Sequence, residues 1–291
     1  MIGSRSREWV VIDGFKIVGM VALEGATHCV VRNCEVWRED NRARRQPRSR
    51  GGIPTRVGIR LEGSTMCLIS NNLVHDISGP QHGNEAGMIM YYTKGLLIQN
   101  NEFNNCYRGI YDKTKGVRNT YRYNVLRQCH EGFHSGGGTA GVWNKEIVVH
   151  HNLFLEGGGV SLVIDEGARV YNNTFCGERG LWASRSQKGA PAFFNCILDR
   201  PATAFSLSAQ FQRVGFCDYN CVYAARRWSE RYSFEQMRRF TGFGEFTSRA
   251  DPKFVNRSTL LIEKRYAQMV EEVFKEFDEF LRWVKFEVLK R

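Results

Sequence analysis

The stretch that decides the fold is Gly58-Ile-Arg-Leu-Glu62, a turn, Cys67-Leu-Ile-Ser70, then Asn71-Asn72 and Leu73-Val-His75. It contains two short apolar strands, a pair of asparagines and a third short strand. Its centre recurs along the chain, with Asn or an aligned residue between two apolar runs, at Asp13, Asn33, Asn71, Asn100, Tyr123, His151, Asn172, Asn195 and Tyr219. A spacing of about 20 to 38 residues is typical of a stacked solenoid.

Three short strands in each repeat, joined by turns, predict a parallel β-helix. Alternate residues of each strand point to opposite faces, so one set fills the interior and the other faces outward. Asparagine at a turn tolerates left-handed backbone geometry, and stacked amides can hydrogen-bond from one rung to the next. The sequence therefore predicts an all-β solenoid of about nine rungs with an asparagine ladder.

The last part of the chain breaks this pattern. Between Leu260 and Leu289 apolar residues recur at alternating steps of three and four, which predicts an amphipathic α-helix of about 30 residues. We expect a β-helix over residues 1–257 and a C-terminal helix over residues 258–291. Three roles for this helix stay open: a cap on the solenoid, homo-oligomerisation through residues 260–289, or an atypical end of a truncated chain.

The charge of the chain favours an anionic partner. The net charge is +11, and much of the excess lies in the arginine-rich segment Arg38 to Arg56. An acidic polysaccharide and a nucleic acid both fit, but no recognised nucleic-acid-binding module accompanies the arginines. The chain has no run of 18 apolar residues, so the sequence predicts no membrane span. The N-terminus also lacks the apolar core of a signal peptide, so either the protein is not exported by that route or the chain lacks its natural start.

Nine cysteines without a CxxC pair disfavour a zinc site. Cys106 and Cys129 occupy the same place in successive repeats. We expect such matched cysteines to be small buried residues stacked on one another. A disulfide between Cys106 and Cys129 is the alternative, because stacked Cα atoms ~4.8 Å apart lie within its reach.

With its turn pairs Asn71-Asn72, Asn100-Asn101 and Asn172-Asn173, the chain resembles the right-handed parallel β-helix of the pectate-lyase-like superfamily. The resemblance extends from about Trp9 to Asn256. It implies a substrate groove along the outside of the first sheet and an extracellular or periplasmic location. The superfamily includes lyases, hydrolases, epimerases and non-enzymatic surface proteins, so the resemblance leaves the activity open.

Aligning the first strand of each repeat predicts which side chains line this groove. One outward column reads Ala22, Arg60, Ile89, Tyr111, His134, Ser161, Trp182 and Ser206. The next reads Glu24, Glu62, Tyr91, Lys113, Gly136, Val163, Ser184 and Ser208. Neighbours in a column lie ~4.8 Å apart. Ionisable groups concentrate in the first rungs, beside the longest loops, where binding groups gather.

This surface suggests β-elimination on an acidic sugar. Lys113 is the candidate base, with its pKa lowered by neighbouring Arg108 or by burial. Arg60 and Arg108 are candidates for neutralising the uronate carboxylate. The candidate proton donors are Tyr91, Tyr111 and His134, and the remaining substrate contacts are predicted at Trp182, Arg44, Arg45 and Arg48. Two alternatives stay open: Lys113 forms a salt bridge to Asp112 or Glu62, and Tyr111 with Trp182 forms a stacking platform without catalysis.

The acidic residues allow other chemistry. Glu62, Asp76, Glu85 and Glu24 are candidate ligands for Ca²⁺, a hard cation that binds oxygen, although no loop has the EF-hand spacing. Glu24 and Glu62 are also a candidate glycosidase pair. A polysaccharide lyase is favoured because the groove is basic. A glycoside hydrolase and a non-catalytic glycan-binding surface protein are the alternatives.

Overall fold

The computed structural model describes residues 2–38, 56–77, 84–137, 143–163, 165–183, 191–207, 216–218, 220–229, 233, 235–236 and 249. The chain divides into two compact units, Met1–Asp251 and Pro252–Arg291. The second unit, and with it the helix predicted over residues 260–289, lies outside the described residues, so the boundary at residues 257/258 stays a prediction. Within the described ranges no helix is long and apolar enough to cross a membrane.

Strands wind through three long sheets. The first sheet contains β1 (Ile2–Arg5), β4 (Val21–Glu24), β7 (Val57–Glu62), β10 (Ala86–Tyr91), β13 (Arg108–Thr114), β16 (Glu131–Ser135), β20 (Val160–Leu162), β24 (Arg179–Ala183), β27 (Thr203–Leu207) and β30 (Arg227–Ser229). The second contains β2 (Val11–Asp13), β5 (Val30–Arg32), β8 (Leu68–Ser70), β11 (Leu97–Gln99), β14 (Thr120–Arg122), β18 (Val148–His150), β22 (Arg169–Tyr171), β25 (Ala192–Phe194) and β28 (Phe216–Asp218).

The third sheet contains β3 (Lys16–Val18), β6 (Glu35–Trp37), β9 (Leu73–His75), β12 (Glu102–Asn104), β15 (Val125–Arg127), β19 (Leu153–Leu155), β23 (Thr174–Cys176), β26 (Ile197–Asp199) and β29 (Cys221–Tyr223). A small extra sheet pairs β17 (Asn144–Lys145) with β21 (Asp165–Glu166). In the three long sheets each strand lies parallel to the equivalent strand of the next turn. The predicted parallel β-helix is therefore confirmed.

Inward-facing side chains form columns in the interior. In the third sheet Phe154 stacks on Phe175, with ring centroids 4.7 Å apart. Large apolar side chains here are fully buried, and each contributes roughly 1.5–3 kcal/mol. The glycine at the second position of several first-sheet strands reflects the same close packing. At Gly109 an added Cβ would lie 2.7 Å from both Gly132 O and Leu126 Cδ2.

The two members of each asparagine pair have different roles, one in the turn and one in the ladder. The first member, such as Asn71 or Asn100, adopts a left-handed backbone conformation at the turn (φ 56° and 55°). The second member is buried and forms the ladder: Asn101 Nδ2 donates to Asn124 Oδ1 at 3.0 Å, and Asn124 Nδ2 donates to Asn152 Oδ1 at 3.0 Å. The ladder positions are Asn72, Asn101, Asn124, Asn152 and Asn173.

The eight cysteines whose side chains the structure describes are free thiols. Cys106 and Cys129 are buried, and each Sγ lies near a backbone carbonyl, of Asn104 at 3.5 Å and Arg127 at 3.4 Å. Burial raises the pKa of the Cys106 thiol well above its usual value. The interpretation as stacked core residues is therefore confirmed, and the alternative disulfide is not formed.

Candidate functional site

The candidate site lies on the outer face of the first sheet, on β7, β10, β13 and β16. The register pairs Arg60 with Ile89, Ile89 with Tyr111, and Tyr111 with His134. It continues through Ser161 and Trp182 to Ser206. The first predicted column is thus confirmed as a row of adjacent residues.

The second column departs from the predicted alignment at Lys113. Met90 pairs with Asp112, but Tyr91 pairs with Thr114, so Lys113 is the extra residue of a β-bulge. A bulge places two residues of one strand opposite one of its partner and re-aims the side chain. Simple alternation could not predict this shift, because one additional residue leaves no mark in the local pattern.

The bulge places the ammonium group of Lys113 against two aromatic rings. Its Nζ atom lies 5.6 Å from the ring centroid of Tyr91 and 5.8 Å from that of Tyr111. It also donates a hydrogen bond to Asn84 Oδ1. None of the described ion pairs involves Lys113, so the predicted alternative of a salt bridge to Asp112 or Glu62 is wrong for this structure.

The surroundings shift the pKa of Lys113 and the pKa values of the two tyrosines in opposite directions. Burial, followed by the charges of Arg108 and Arg60, lowers the pKa of Lys113 from its usual 10.5. Burial raises the pKa of Tyr111 to about 12 and also raises that of Tyr91. The lysine therefore loses its proton more easily than in water, while both phenols keep theirs.

Arg108, Glu131 and His134 form a charged cluster beside Tyr111. Arg108 Nε donates to Glu131 Oε2 at 2.5 Å, and the Arg108 guanidinium carbon lies 4.7 Å from the Tyr111 ring centroid. His134 Nδ1 lies 2.7 Å from the same Glu131 oxygen. Burial alone would raise the pKa of Glu131, but His134 and Arg108 outweigh it and hold the pKa at about 2.

A second cation, Arg60, lies against the Tyr91 ring. Arg60 Nη2 binds Glu62 Oε2 at 2.5 Å, and its guanidinium carbon lies 5.1 Å from the Tyr91 ring centroid. The Nε atom of Arg60 is buried and makes no hydrogen bond to a described residue. The side chain of Arg60 is 21% exposed, so the outer part of its guanidinium group can contact a carboxylate oxygen of a ligand.

The first column is less accessible than an open groove would be. Ile89 is fully buried, and Tyr111 and His134 are 3% and 8% exposed. Gly137 lies against the Tyr111 hydroxyl, since an added Cβ there would be 2.5 Å from Tyr111 Oη. Tyr91 is only half-buried. Of the three predicted proton donors, Tyr91 therefore has the best access to a ligand.

Asp112 points into the interior, as strict alternation requires, and has partners there. Its Oδ2 accepts hydrogen bonds from Tyr121 Oη at 2.6 Å and from Asn119 Nδ2 at 3.0 Å. Its Oδ1 is buried and makes no hydrogen bond to a described residue. Burial raises the pKa of Asp112 to about 6, although the two hydrogen bonds lower it. This acid lies directly behind the lysine but faces away from the groove.

The candidate calcium ligands lie in different surroundings. Glu62 is paired with Arg60, Glu85 is buried, and Asp76 binds His75 Nδ1 and Asn105 Nδ2, both at 2.7 Å, at the end of a third-sheet strand. Among the described residues no group of three or more His, Cys, Asp or Glu side chains could hold a metal ion. The calcium site stays a prediction. The substrate contacts predicted at Arg44, Arg45 and Arg48 lie outside the described residues.

Two residues of the site were not predicted from the sequence. Glu131 could have been found, because aligning Gly109 with Gly132 places Arg108 and Glu131 next to each other on successive rungs. Asn84 could not, because it belongs to a long connection whose path no repeat pattern determines. Its hydrogen bond to Lys113 spans 29 residues of sequence.

Comparison with known proteins supports the fold. A family model described as "Right handed beta helix region" matches residues 5–175 and 57–211. The hyperthermoactive exopolygalacturonase from Thermotoga maritima superposes with a TM-score of 0.52 at 12% identity, over 71% of this chain and 50% of that chain. The chain thus spans half the length of that enzyme.

Two further solved structures are similar at lower TM-scores. The endo-xylogalacturonan hydrolase from Aspergillus tubingensis has a TM-score of 0.43 at 10% identity, over 84% of this chain and 78% of that chain. The alginate lyase from Paenibacillus sp. str. FPU-7 has a TM-score of 0.45 at 9% identity, over 83% of this chain and 98% of that chain. Identities this low show the fold alone. No curated protein matches the chain.

Proposed function

The chain belongs to the right-handed β-helix family, and we propose that it is a polysaccharide lyase that cleaves a uronate-containing polysaccharide by β-elimination. The observation that carries this proposal is the position of Lys113. Its ammonium group lies on the rings of Tyr91 and Tyr111, and burial, followed by the charges of Arg108 and Arg60, lowers its pKa. A lysine that loses its proton readily, next to cations and a protonated phenol, supplies the three groups that elimination requires.

The proposed reaction uses these groups in one step. Arg60, through the exposed part of its guanidinium group, binds the carboxylate of the uronate and so acidifies the proton on C5. Neutral Lys113 takes that proton, the C5–H electron pair forms the C4–C5 double bond, and the C4–O4 bond breaks. Tyr91 donates its phenolic proton to O4 as it leaves. The products are an unsaturated uronide and a new chain end, and solvent returns the two residues to their starting states.

The state of the carboxyl groups favours elimination over hydrolysis. A glycosidase needs one carboxylic acid that is protonated and can reach the glycosidic oxygen. In the described part of the site, Glu131 has a pKa of about 2 and Glu62 is paired with Arg60. Asp112 has a raised pKa but points into the interior. None of these three residues is placed to act as a general acid on a substrate in the groove.

The test compares two lysines of the same strand region. The chain is incubated with pectate, alginate, glycosaminoglycans and neutral glycans, with and without a chelator, and the unsaturated product is followed by its ultraviolet absorbance. We expect Lys113→Met to abolish this product. Lys115→Met should retain it, because Lys115 also lies over a tyrosine ring, 5.5 Å from the Tyr92 centroid, but is exposed. Circular dichroism checks that both variants fold.

Other outcomes point to the alternative functions. Wild-type chain that releases reducing ends without an unsaturated product would indicate a hydrolase, for which Glu24 and Glu62 are adjacent in register. Polymer binding without any product would indicate a glycan-binding surface protein. Loss of activity on chelation, restored by Ca²⁺, would support the predicted calcium dependence. If no uronate polymer yields an unsaturated product, the lyase proposal is refuted.

The proposed substrate implies an extracellular or periplasmic location, where acidic polysaccharides are encountered. Homo-oligomerisation through residues 260–289 stays one of the three predicted roles of this segment. Sedimentation of the full chain, compared with a chain ending at residue 257, would show whether this segment associates. If the full chain and the truncated chain form particles with the same number of protomers, oligomerisation through this segment is refuted.

A further inference from the structure

The bulge at Lys113 lies beside an unusual position in the turn that joins the first and second sheets. Isolated bridges link these turns from one rung to the next, and the strand pair β17 and β21 continues them. The residues that directly precede the bridged positions form a column inside the turn: Ser64, Thr93, Gly116, Asn144 and Asp165. Four of them carry buried polar side chains, whereas Gly116 has no side chain. The column therefore lacks a polar group of its own on the rung that contains the bulge.

The carboxyl group of Asp112 occupies the space that a side chain at Gly116 would need. A Cβ atom added to Gly116 would lie 2.2 Å from Asp112 Oδ2 and 2.3 Å from Asp112 Oδ1. Asn119 Nδ2 donates to the same Oδ2 atom at 3.0 Å and to Thr93 Oγ1 at 2.9 Å, so it links the carboxyl group to the column. The residue just before the bulge thus supplies the polar group that the column lacks at Gly116.

Asn144 holds both ends of the backbone segment that contains the bulge. Its Nδ2 atom donates to Asp112 O at 2.7 Å, and its Oδ1 atom accepts from Gly116 N at 2.8 Å. Nδ2 also donates to Ser135 Oγ at 2.8 Å, so both of its hydrogen atoms are used. The side chain is 1% exposed, and these bonds fix its orientation. One interior amide therefore determines the path of the backbone on either side of the bulge.

We propose that Asn144 is a positioning residue for Lys113: it fixes the bulge that holds the amine against the rings of Tyr91 and Tyr111. A bulge re-aims a side chain, so loosening the backbone at its two ends would move the amine away from its surroundings. The charged and titratable groups around the amine are Arg60, Arg108, Tyr91 and Tyr111, with Glu62 and Glu131 bound to the two arginines. This inference rests on the proposed function for the role of Lys113 as the base, but the position of the amine can be measured without turnover.

The first measurement is the reactivity of each lysine toward acetic anhydride as a function of pH, located by mass spectrometry of peptides. Only the neutral amine reacts, so the midpoint of the pH profile reports how easily the ammonium group loses its proton. In wild type the midpoint of Lys113 should lie below 10.5, because burial and the charges of Arg108 and Arg60 lower its pKa. In Asn144→Ala the midpoint should rise toward 10.5 as the amine leaves these surroundings. Lys94, which is exposed, is the internal reference and should not change.

Asn173→Ala is the matched control for a general loss of stability. Asn173 is as buried as Asn144, and its Nδ2 atom donates to Val149 O at 2.9 Å while its Oδ1 atom accepts from Asn152 Nδ2 at 3.0 Å. Both variants lose interior hydrogen bonds and should unfold at lower urea concentrations than wild type. Only a positioning role moves the midpoint of Lys113 in one variant and leaves it unchanged in the other.

The second measurement follows hydrogen exchange at the amide of Gly116. In wild type this N–H donates to Asn144 Oδ1, so it should exchange more slowly than the same amide in the unfolded chain. Asn144→Ala removes the acceptor, and exchange should become faster there while the amides of the ladder stay protected. If Asn144→Ala does not fold, Asn144→Ser takes its place in both measurements, because it keeps one hydrogen-bonding group in the interior.

The third measurement uses turnover. If wild-type chain yields an unsaturated product, Asn144→Ala should lower kcat about 100-fold and leave KM within about twofold, because a misplaced base costs rate rather than binding. A Lys113 midpoint that is unchanged in the folded variant, or Gly116 exchange in wild type at the rate of the unfolded chain, would overturn the positioning role. Wild-type chain that forms no unsaturated product rejects the lyase alone, because the reactivity and exchange measurements stand without turnover.

Discussion

Replacing Asp112 by asparagine should remove a pH dependence of stability that the fold imposes. The carboxyl group is fully buried, with Oδ2 bonded to Tyr121 and Asn119 and Oδ1 without a hydrogen bond to a described residue. Asparagine preserves the shape and an acceptor for both donors. It removes the negative charge and the ability to titrate and adds an amide NH2 group, so the pH-dependent part of its effect isolates the cost of ionising this group in the interior.

The magnitude follows from the pKa values of the two states. The pKa of Asp112 is about 6 in the folded protein, against 3.8 for an unperturbed carboxyl. At about 1.36 kcal/mol for each pKa unit, this difference corresponds to about 3 kcal/mol. Because the folded-state pKa is raised, the stabilisation is present below about pH 3.8 and is lost as the pH rises through about 6. The wild-type chain therefore becomes less stable, relative to the variant, as the pH increases.

The assay is urea unfolding of wild-type and Asp112→Asn chains between about pH 3 and about pH 7, followed by tryptophan fluorescence. The stability of the variant minus that of wild type should increase by about 3 kcal/mol over this range. The new amide N–H lacks a partner and lowers the stability of the variant by the same amount at every pH. This amount therefore cancels when the stability differences at two pH values are subtracted. A difference that stays flat with pH would refute the reasoning. Asp13→Asn is the control of opposite sign, because Asn33 and Arg32 lower the pKa of the exposed Asp13.

The other predictions concern the site and the ladder. If Lys113 is the base, kcat/KM should increase with pH up to a midpoint below its usual pKa of 10.5, as a pH–rate profile would show. Glu131→Gln should lower the free energy of unfolding by about 3 kcal/mol at neutral pH, because a pKa of about 2 is far below the usual 4.5. That loss should disappear as the pH falls from about 4.5 to about 2, and a loss that persists there would contradict it. Asn124→Ala removes four ladder hydrogen bonds and should cost about 3–5 kcal/mol in urea unfolding, with a cost below about 1 kcal/mol as the contrary result.

Part of the candidate site could be predicted because a solenoid turns sequence alignment into spatial adjacency. Arg60, Tyr111 and His134 lie in one row because equivalent residues of successive repeats pair in register. The alignment failed at Lys113, where a single bulged residue shifts the register without changing the apolar pattern. The contact of Asn84 could not be predicted for another reason. Asn84 belongs to a connection between repeats, and the repeat pattern constrains only the strands and the turns within each rung.

The accessibility of the groove was also misjudged from the sequence. Alternation correctly places Ile89 and Tyr111 on the outer face, yet both are buried. The period of a strand determines the face on which a side chain lies, but neighbouring side chains and connections determine whether that face meets solvent. The repeat pattern also did not predict which carboxylates pair with Arg60 and Arg108. Their carboxylates, Glu62 and Glu131, come from within the site rather than from a substrate.

The sequence by itself determined the parallel β-helix, its three strands per rung and the position of the ladder asparagines. These features are local, and the same residue pattern recurs in every rung. A wrong assignment in one rung therefore leaves the assignment of the other rungs unchanged. The tertiary structure alone decided the chemistry of the surface: the bulge at Lys113, its lowered pKa, and the pairing of Glu131 with Arg108. The physical reason is that charge interactions and burial depend on distances of a few ångströms between rungs, which the repeat pattern brings together but does not specify.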